Sequence, residues 1–158
     1  MTDTQLHPTA TEIHDQGAAD AAPGPLYDRL GGTYAIAGAV DVLVDRLFAN
    51  VGVNANPAVH AHHGDAANAP GYKFLVTAWS IEAAGGPRCY PGRDMLTGHE
   101  HLGIDTAGFD AVWTEIDATL AFLGVPGPER TEFMEIIERF RPEVVDGTRV
   151  TQDQPGMG

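Results

Sequence analysis

The sequence predicts an all-α fold, and three observations carry that prediction. Four stretches repeat apolar residues at spacings of three and four, the period that lines one side of a helix. No stretch alternates apolar and polar residues for long enough to make a strand. Glycine and proline clusters separate the periodic stretches, as breakers do where helices end.

In chain order, a short helix begins near Leu26 and stops at Gly31-Gly32, where the chain can reverse. The first long stretch puts Ile36, Val40, Leu43, Val44 and Leu47 on one face. The second aligns Tyr72, Leu75, Val76, Trp79 and Ala83 and ends at Gly85-Gly86-Pro87. The third aligns Phe109, Val112, Trp113, Ile116, Leu120 and Leu123 behind Asp105, a side chain suited to cap a helix start. Gly124-Val125-Pro126 stops it, because proline cannot continue the hydrogen-bond ladder. The fourth aligns Phe133, Ile136, Ile137, Phe140 and Val144. Residues 50–71 and 85–92 read as Gly- and Pro-rich loops between strongly apolar helices. Such an arrangement makes room for a group between the helices.

The chain of 158 residues has the length of one domain, and its 43% hydrophobic content suffices for a core. Residues 1–25 and 147–158 lack an apolar stripe and are expected to be disordered tails around a domain at 26–146. Nine Lys plus Arg against 22 Asp plus Glu give a net charge of −13, and Lys73 is the single lysine. That balance argues against nucleic acid and against anionic membranes as partners. Cys89 is the one cysteine, which rules out an intrachain disulfide and fits a reducing, cytoplasmic compartment. Neither a membrane-length apolar run nor a secretory leader is expected. Oligomeric state is not legible.

Seven histidines remain as the chemically distinctive residues. His7 and His14 fall in the tail. Met95, Leu96, His99 and Leu102 share the spacing of a short helix face. A neutral imidazole there is either a metal ligand or a core histidine bonded to a carbonyl, and spacing alone leaves both open. His101 falls on another side of that helix. His60, His62 and His63 form HAHH in the long loop, a candidate zinc or nickel site with Asp65, or a solvated loop.

Several motifs share their order with a known family. LYDRLGG at 26–32, GGPRCYPGRDM at 85–95, HEHLGI at 99–104 and GVP at 124–126 resemble those of the group-one truncated haemoglobins. NANP at 54–57 and GYKFLVT at 71–77 resemble a bacterial subset of them. The resemblance spans about residues 26–145. It implies a two-over-two helical sandwich around haem b, with His99 as the proximal iron ligand. It implies apolar haem contacts from Met95, Leu96, Ile104, Phe109, Val112 and Phe140. Tyr90, Arg93 and Lys73 fall where the haem propionates are approached. On the distal side this chain departs from the family. Val44 and Val76 stand where many members carry a tyrosine and a glutamine, and an aromatic near 53–57 is missing. Tyr72, one turn from Val76, is the candidate hydroxyl donor in their place.

The resemblance implies reversible binding of oxygen, nitric oxide or carbon monoxide. It leaves open a nitric oxide dioxygenase, served by a reductase, or a peroxidase-like activity. A non-haem metal protein built on His60, His62 and His63 and a cofactor-free helical interaction domain are the alternatives. Gly64 and Gly71 predict a mobile loop around the HAHH cluster. Water or hydroxide, rather than one of those imidazoles, is then expected opposite His99.

Overall fold

The computed structural model describes residues 24–148. Nearly all of both expected tails, His7 and His14 included, lies outside the described residues. Among the described residues the regular structure is helical throughout: α1 (Leu26–Arg29), α2 (Gly32–Ala49), α3 (Pro57–His63), α4 (Ala69–Ala83), α5 (Met95–His99), α6 (Thr106–Phe122), α7 (Gly127–Arg139) and α8 (Arg141–Val145). Two single turns of 3-10 helix, Val53–Ala55 and Ala66–Asn68, flank α3. No helix here is long and apolar enough to cross a membrane.

The long helices form two packed pairs. α2 lies along α4 and α6 along α7, and α2 also meets α6. Two apolar clusters result. Leu26, Leu43, Ala84, Ile116, Phe133 and Met134 make one, with Trp79 and Trp113 against it. Ile36, Val40, Val44 and Ile81 make the other, with Phe48, Tyr72 and Val76 against it. Val44 is 1% exposed, so the α2 stripe read from the sequence is the buried one. The turn into α2 depends on Gly31 at φ 91°, a left-handed conformation costly for any residue with a Cβ.

Three sequence expectations change. Leu75 is 39% exposed, and α4 instead buries Ala78 and Ile81 beside its half-buried Tyr72, Val76 and Trp79. α4 packs along α2, and the arc it buries is not the single i, i+3, i+4 stripe read from the sequence. The fourth stretch is two helices, broken at Phe140. Pro142 cannot donate to the ladder and becomes an early residue of α8 instead. Residues 50–71 are mostly short helices rather than an open loop. Asn56 accepts from the backbone N–H groups of Ala58 and Val59, and Pro57 takes the first position, where a missing N–H costs nothing.

The end of α2 is pinned to α6 through Glu115. Arg46 Nε donates to its Oε1 at 2.6 Å and Asn50 Nδ2 to its Oε2 at 2.6 Å, while Asn50 Oδ1 accepts from Val53 N. These bonds hold the Glu115 carboxyl below its ordinary pKa, Arg46 contributing most. The charge therefore stabilises the fold above the unfolded value of 4.5, and the contribution is lost as pH falls below it. Glu115→Gln is expected to cost about 1 kcal/mol at pH 7, given that Arg46 is partly exposed. The difference from wild type should hold down to about pH 4.5 and shrink as urea titrations are stepped to lower pH.

Candidate functional site

His99 closes α5, a five-residue helix whose start is capped by Asp94, with Oδ1 accepting from Thr97 N at 2.9 Å. Its Nδ1 lies 2.7 Å from the Met95 carbonyl oxygen. A carbonyl only accepts, so Nδ1 carries the proton and Nε2 keeps its lone pair. Burial lowers the imidazole pKa, opposed by the Met95 bond and helped slightly by His101. A histidine whose second nitrogen donates to a carbonyl, leaving Nε2 free and neutral, has the preparation usual for a metal ligand. His101 is exposed.

The remaining residues around α5 leave apolar surface open. No residue of α5 is fully buried, and Met95, Leu96 and Ile104 are half-buried, as is His99. α5 packs on α8, which Phe140 precedes. Phe140 meets Trp79 of α4 edge-on at 5.6 Å, and the Arg141 guanidinium sits 4.3 Å from the centre of the Phe109 ring. Phe109 is 7% exposed and Val112, half-buried, packs on the larger apolar cluster. The fold thus brings Phe109 and Phe140 beside α8, against which α5 packs. Tyr72 and Val76 sit on a second wall with Val44, in the α2–α4 cluster.

A loop of residues 84–94 leads into α5. The Glu82 carboxylate shapes it by accepting from Cys89 N and Tyr90 N. Tyr90 donates its hydroxyl to the Arg93 carbonyl at 2.9 Å, and the ring lies close over Gly92, where a Cβ would force the phenol to shift. Tyr90 therefore organises the loop and has committed its proton. Lys73 is committed too: Asp41 and Asp45 of α2 hold its ammonium at 2.7 and 2.8 Å. Arg93 differs. Its side chain is exposed and, among the described residues, has no carboxylate partner in a chain where Arg29, Arg46, Arg130 and Arg141 all have one.

His63 is a residue that sequence reasoning underrated. It stacks on Phe48 at 4.5 Å and 19°, and meets Tyr72 edge-on at 5.2 Å. Its Nδ1 lies 3.1 Å from Asn54 Oδ1. Burial, then the charges of His62 and His60, lower its pKa. His60 and His62 are exposed, and no group of three metal-binding side chains converges among the described residues. Asn54 and Asn56 were missed as anchors. Asn54 Nδ2 donates to the carbonyls of Leu47, Phe48 and Asn50, and Asn56 Nδ2 to those of Leu102 and Gly103, just after α5. The Asn-Pro pair at 56–57, a helix-start signal, was the legible clue.

An apolar cavity of ≈ 420 Å³ lies between α2 and α6, lined by Ile36, Val40, Leu43, Ile116, Leu120 and Phe133 among others. It excludes His99, but Ile36 and Val40 line it and also pack in the cluster of Val44 and Tyr72.

A family model of bacterial-like globins matches residues 25–146. The chain belongs to this family. This globin is 26% identical over 123 residues to a group 1 truncated hemoglobin of Tetrahymena pyriformis, covering 78% of this chain and 96% of that one. The crystal structure of the Tetrahymena protein in its Fe(III) form superposes with a TM-score of 0.64, at 26% identity over 77% of this chain and 97% of the other. A 2/2 hemoglobin from Synechococcus sp. PCC 7002, solved with covalently attached heme, gives 0.62 at 27% identity over 77% and 98%. The fold is the two-over-two truncated globin fold, and haem-based gas binding is the general property of such globins. The residues around α5 of this globin fit a haem. They offer a neutral imidazole with Nε2 available, an apolar surface that the protein leaves half open, and, in the loop leading into α5, an arginine with no carboxylate partner among the described residues.

The asparagine anchors set a test of how α3 is held. Asn54→Ala removes the two amide hydrogens shared among three backbone carbonyls and the Nδ1 partner of His63, and is expected to cost about 2 kcal/mol. Amide exchange should quicken in Pro57–His63 while α6 keeps its protection. Unchanged exchange in α3 would mean that its cap and stacking suffice.

Proposed function

We propose that this globin holds haem b through His99 Nε2 and binds a diatomic gas, with oxygen the favoured ligand. The observation that carries the reading is the donation from His99 Nδ1 to the Met95 carbonyl, which fixes the tautomer and aims the chemistry at Nε2. When bound, haem iron supplies a coordination position open to oxygen, nitric oxide or carbon monoxide. The chain supplies the rest.

Met95, Leu96, Ile104, Phe109, Val112 and Phe140 offer apolar surface for the porphyrin, and Arg93 offers a charge-assisted bond to a propionate. Lys73 would have to leave Asp41 and Asp45 to do the same, so it is left out of the set. Tyr90 serves by holding the loop that presents Arg93. One cysteine cannot make the paired thioether links of a c-type haem, which favours haem b. An exposed lone thiol also suits the cytoplasm.

On the other wall, Val44 and Val76 have no hydrogen to donate. Burial raises the Tyr72 pKa above its ordinary value, so its phenol stays protonated and can donate to a polar gas ligand. That favours oxygen over carbon monoxide. The neighbouring, mostly apolar pocket gives small uncharged gases a volume beside this wall. Catalytic turnover with nitric oxide would need a reductase partner, and assays with and without a reductant separate turnover from binding.

Titration of the purified full chain with haem tests the reading. A saturable Soret band should form, and adding carbon monoxide to the reduced protein should shift it. His99→Ala should abolish stable binding or leave a form rescued by imidazole, and His101→Ala should change little. Equal loss in both variants, or no Soret band in the wild type, would overturn it.

A further inference from the structure

α5 carries His99, yet it is five residues long and belongs to neither apolar cluster. Its principal helical neighbour is α8, which also has five residues and also stands outside both clusters. Helices this short have no stability of their own in water, so tertiary contacts have to place them. The place of α5 therefore depends on what ties α8 to the long helices.

Arg141, the first residue of α8, makes that tie. Its Nε and Nη2 donate to the two carboxylate oxygens of Glu138 in α7, at 2.5 and 3.0 Å. Its Nη1 donates to Asp110 Oδ1 in α6 at 2.7 Å. The guanidinium carbon lies 4.3 Å from the centre of the Phe109 ring. One planar group thus holds two neighbouring residues of α6 and one of α7. A lone surface ion pair contributes little. A fork gripped by both oxygens of one carboxylate, by a second carboxylate and by a ring fixes direction as well as distance. Phe109 is also one of the proposed porphyrin contacts, and α6 begins a short turn after α5 ends.

We propose that Arg141 is a positioning residue for the iron ligand. It anchors α8 to α6 and α7, and through α8 it sets where α5 holds His99 relative to Phe109. The proposal rests on the haem reading above. Arg141 acts through Phe109 and α8, without a contact of its own to iron or gas.

A comparison of two ion-pair variants of the full chain tests it. Arg130→Ala removes another tie between α7 and α6, the 3.2 Å pair with Asp117, and leaves α8 alone. Without haem, Arg141→Ala should quicken amide exchange in Met95–His99 about tenfold, and Arg130→Ala should leave it at the wild-type rate. In the reduced, haem-loaded protein, the iron–histidine stretching band in resonance Raman spectra should shift and broaden in Arg141→Ala and stay in place in Arg130→Ala. Arg141→Lys keeps the charge but cannot grip two carboxylates as a planar fork. It should move both readouts in the same direction by less, and it carries the test if the alanine variant fails to fold. Wild-type values in Arg141→Ala, or in Arg141→Lys where the alanine variant does not fold, would overturn the proposal while leaving the haem reading intact. Equal changes in Arg130→Ala would do the same. A wild type that forms no Soret band would overturn both.

Discussion

The bond from His99 Nδ1 to the Met95 carbonyl is the constraint on which the chemistry proposed for this globin depends. It is a bond inside one turn of helix, so its formation requires α5 to be helical and nothing more distant. Once made, it decides which nitrogen holds the proton. Everything around it keeps that turn in place: Asp94 caps the start, Glu82 and Tyr90 shape the approach, and α8 packs on the outside. The site is built on a short element because the long helices are occupied with each other. α2 on α4 and α6 on α7 form the scaffold, and α5 is set against its edge with apolar surface to spare.

A second set of polar bonds holds the segment between α2 and α4. Asn50, Asn54 and Asn56 each satisfy several backbone or carboxylate partners across one short stretch. Asparagine suits the task because one amide both donates and accepts. Glu115 holds Asn50, Asn54 holds His63, and Asn56 holds α3 to the turn beyond α5. Loss of a hydrophobic contact would loosen this region, whereas loss of one amide leaves several backbone carbonyls without partners.

Much of the fold was legible because long helices announce themselves. The α2 stripe from Ile36 to Val44 is buried where its spacing placed it. Asp105 caps α6, and the glycine and proline breakers fall at helix ends. Legibility failed where a helix is too short to show a period. α3 has seven residues, mostly Ala and His, and its helicity comes from the Asn56 cap and Pro57 rather than from an apolar face. Leu75 misled for the opposite reason, being apolar and in phase yet exposed. At the site, His99 stood out only with the motifs around it. The commitments of Tyr90 and Lys73 depend on partners three or more residues away and on another helix, which spacing alone does not encode.

The central claim is that one imidazole, prepared by its own helix, holds the iron of this globin. A crystal structure of the haem-reconstituted protein tests that most directly. The result expected is iron bonded to His99 Nε2, with Nδ1 still on the Met95 carbonyl and α5 unmoved. Haem seated away from α5, or iron bonded to His60, His62 or His101 with His99 turned aside, would contradict the account.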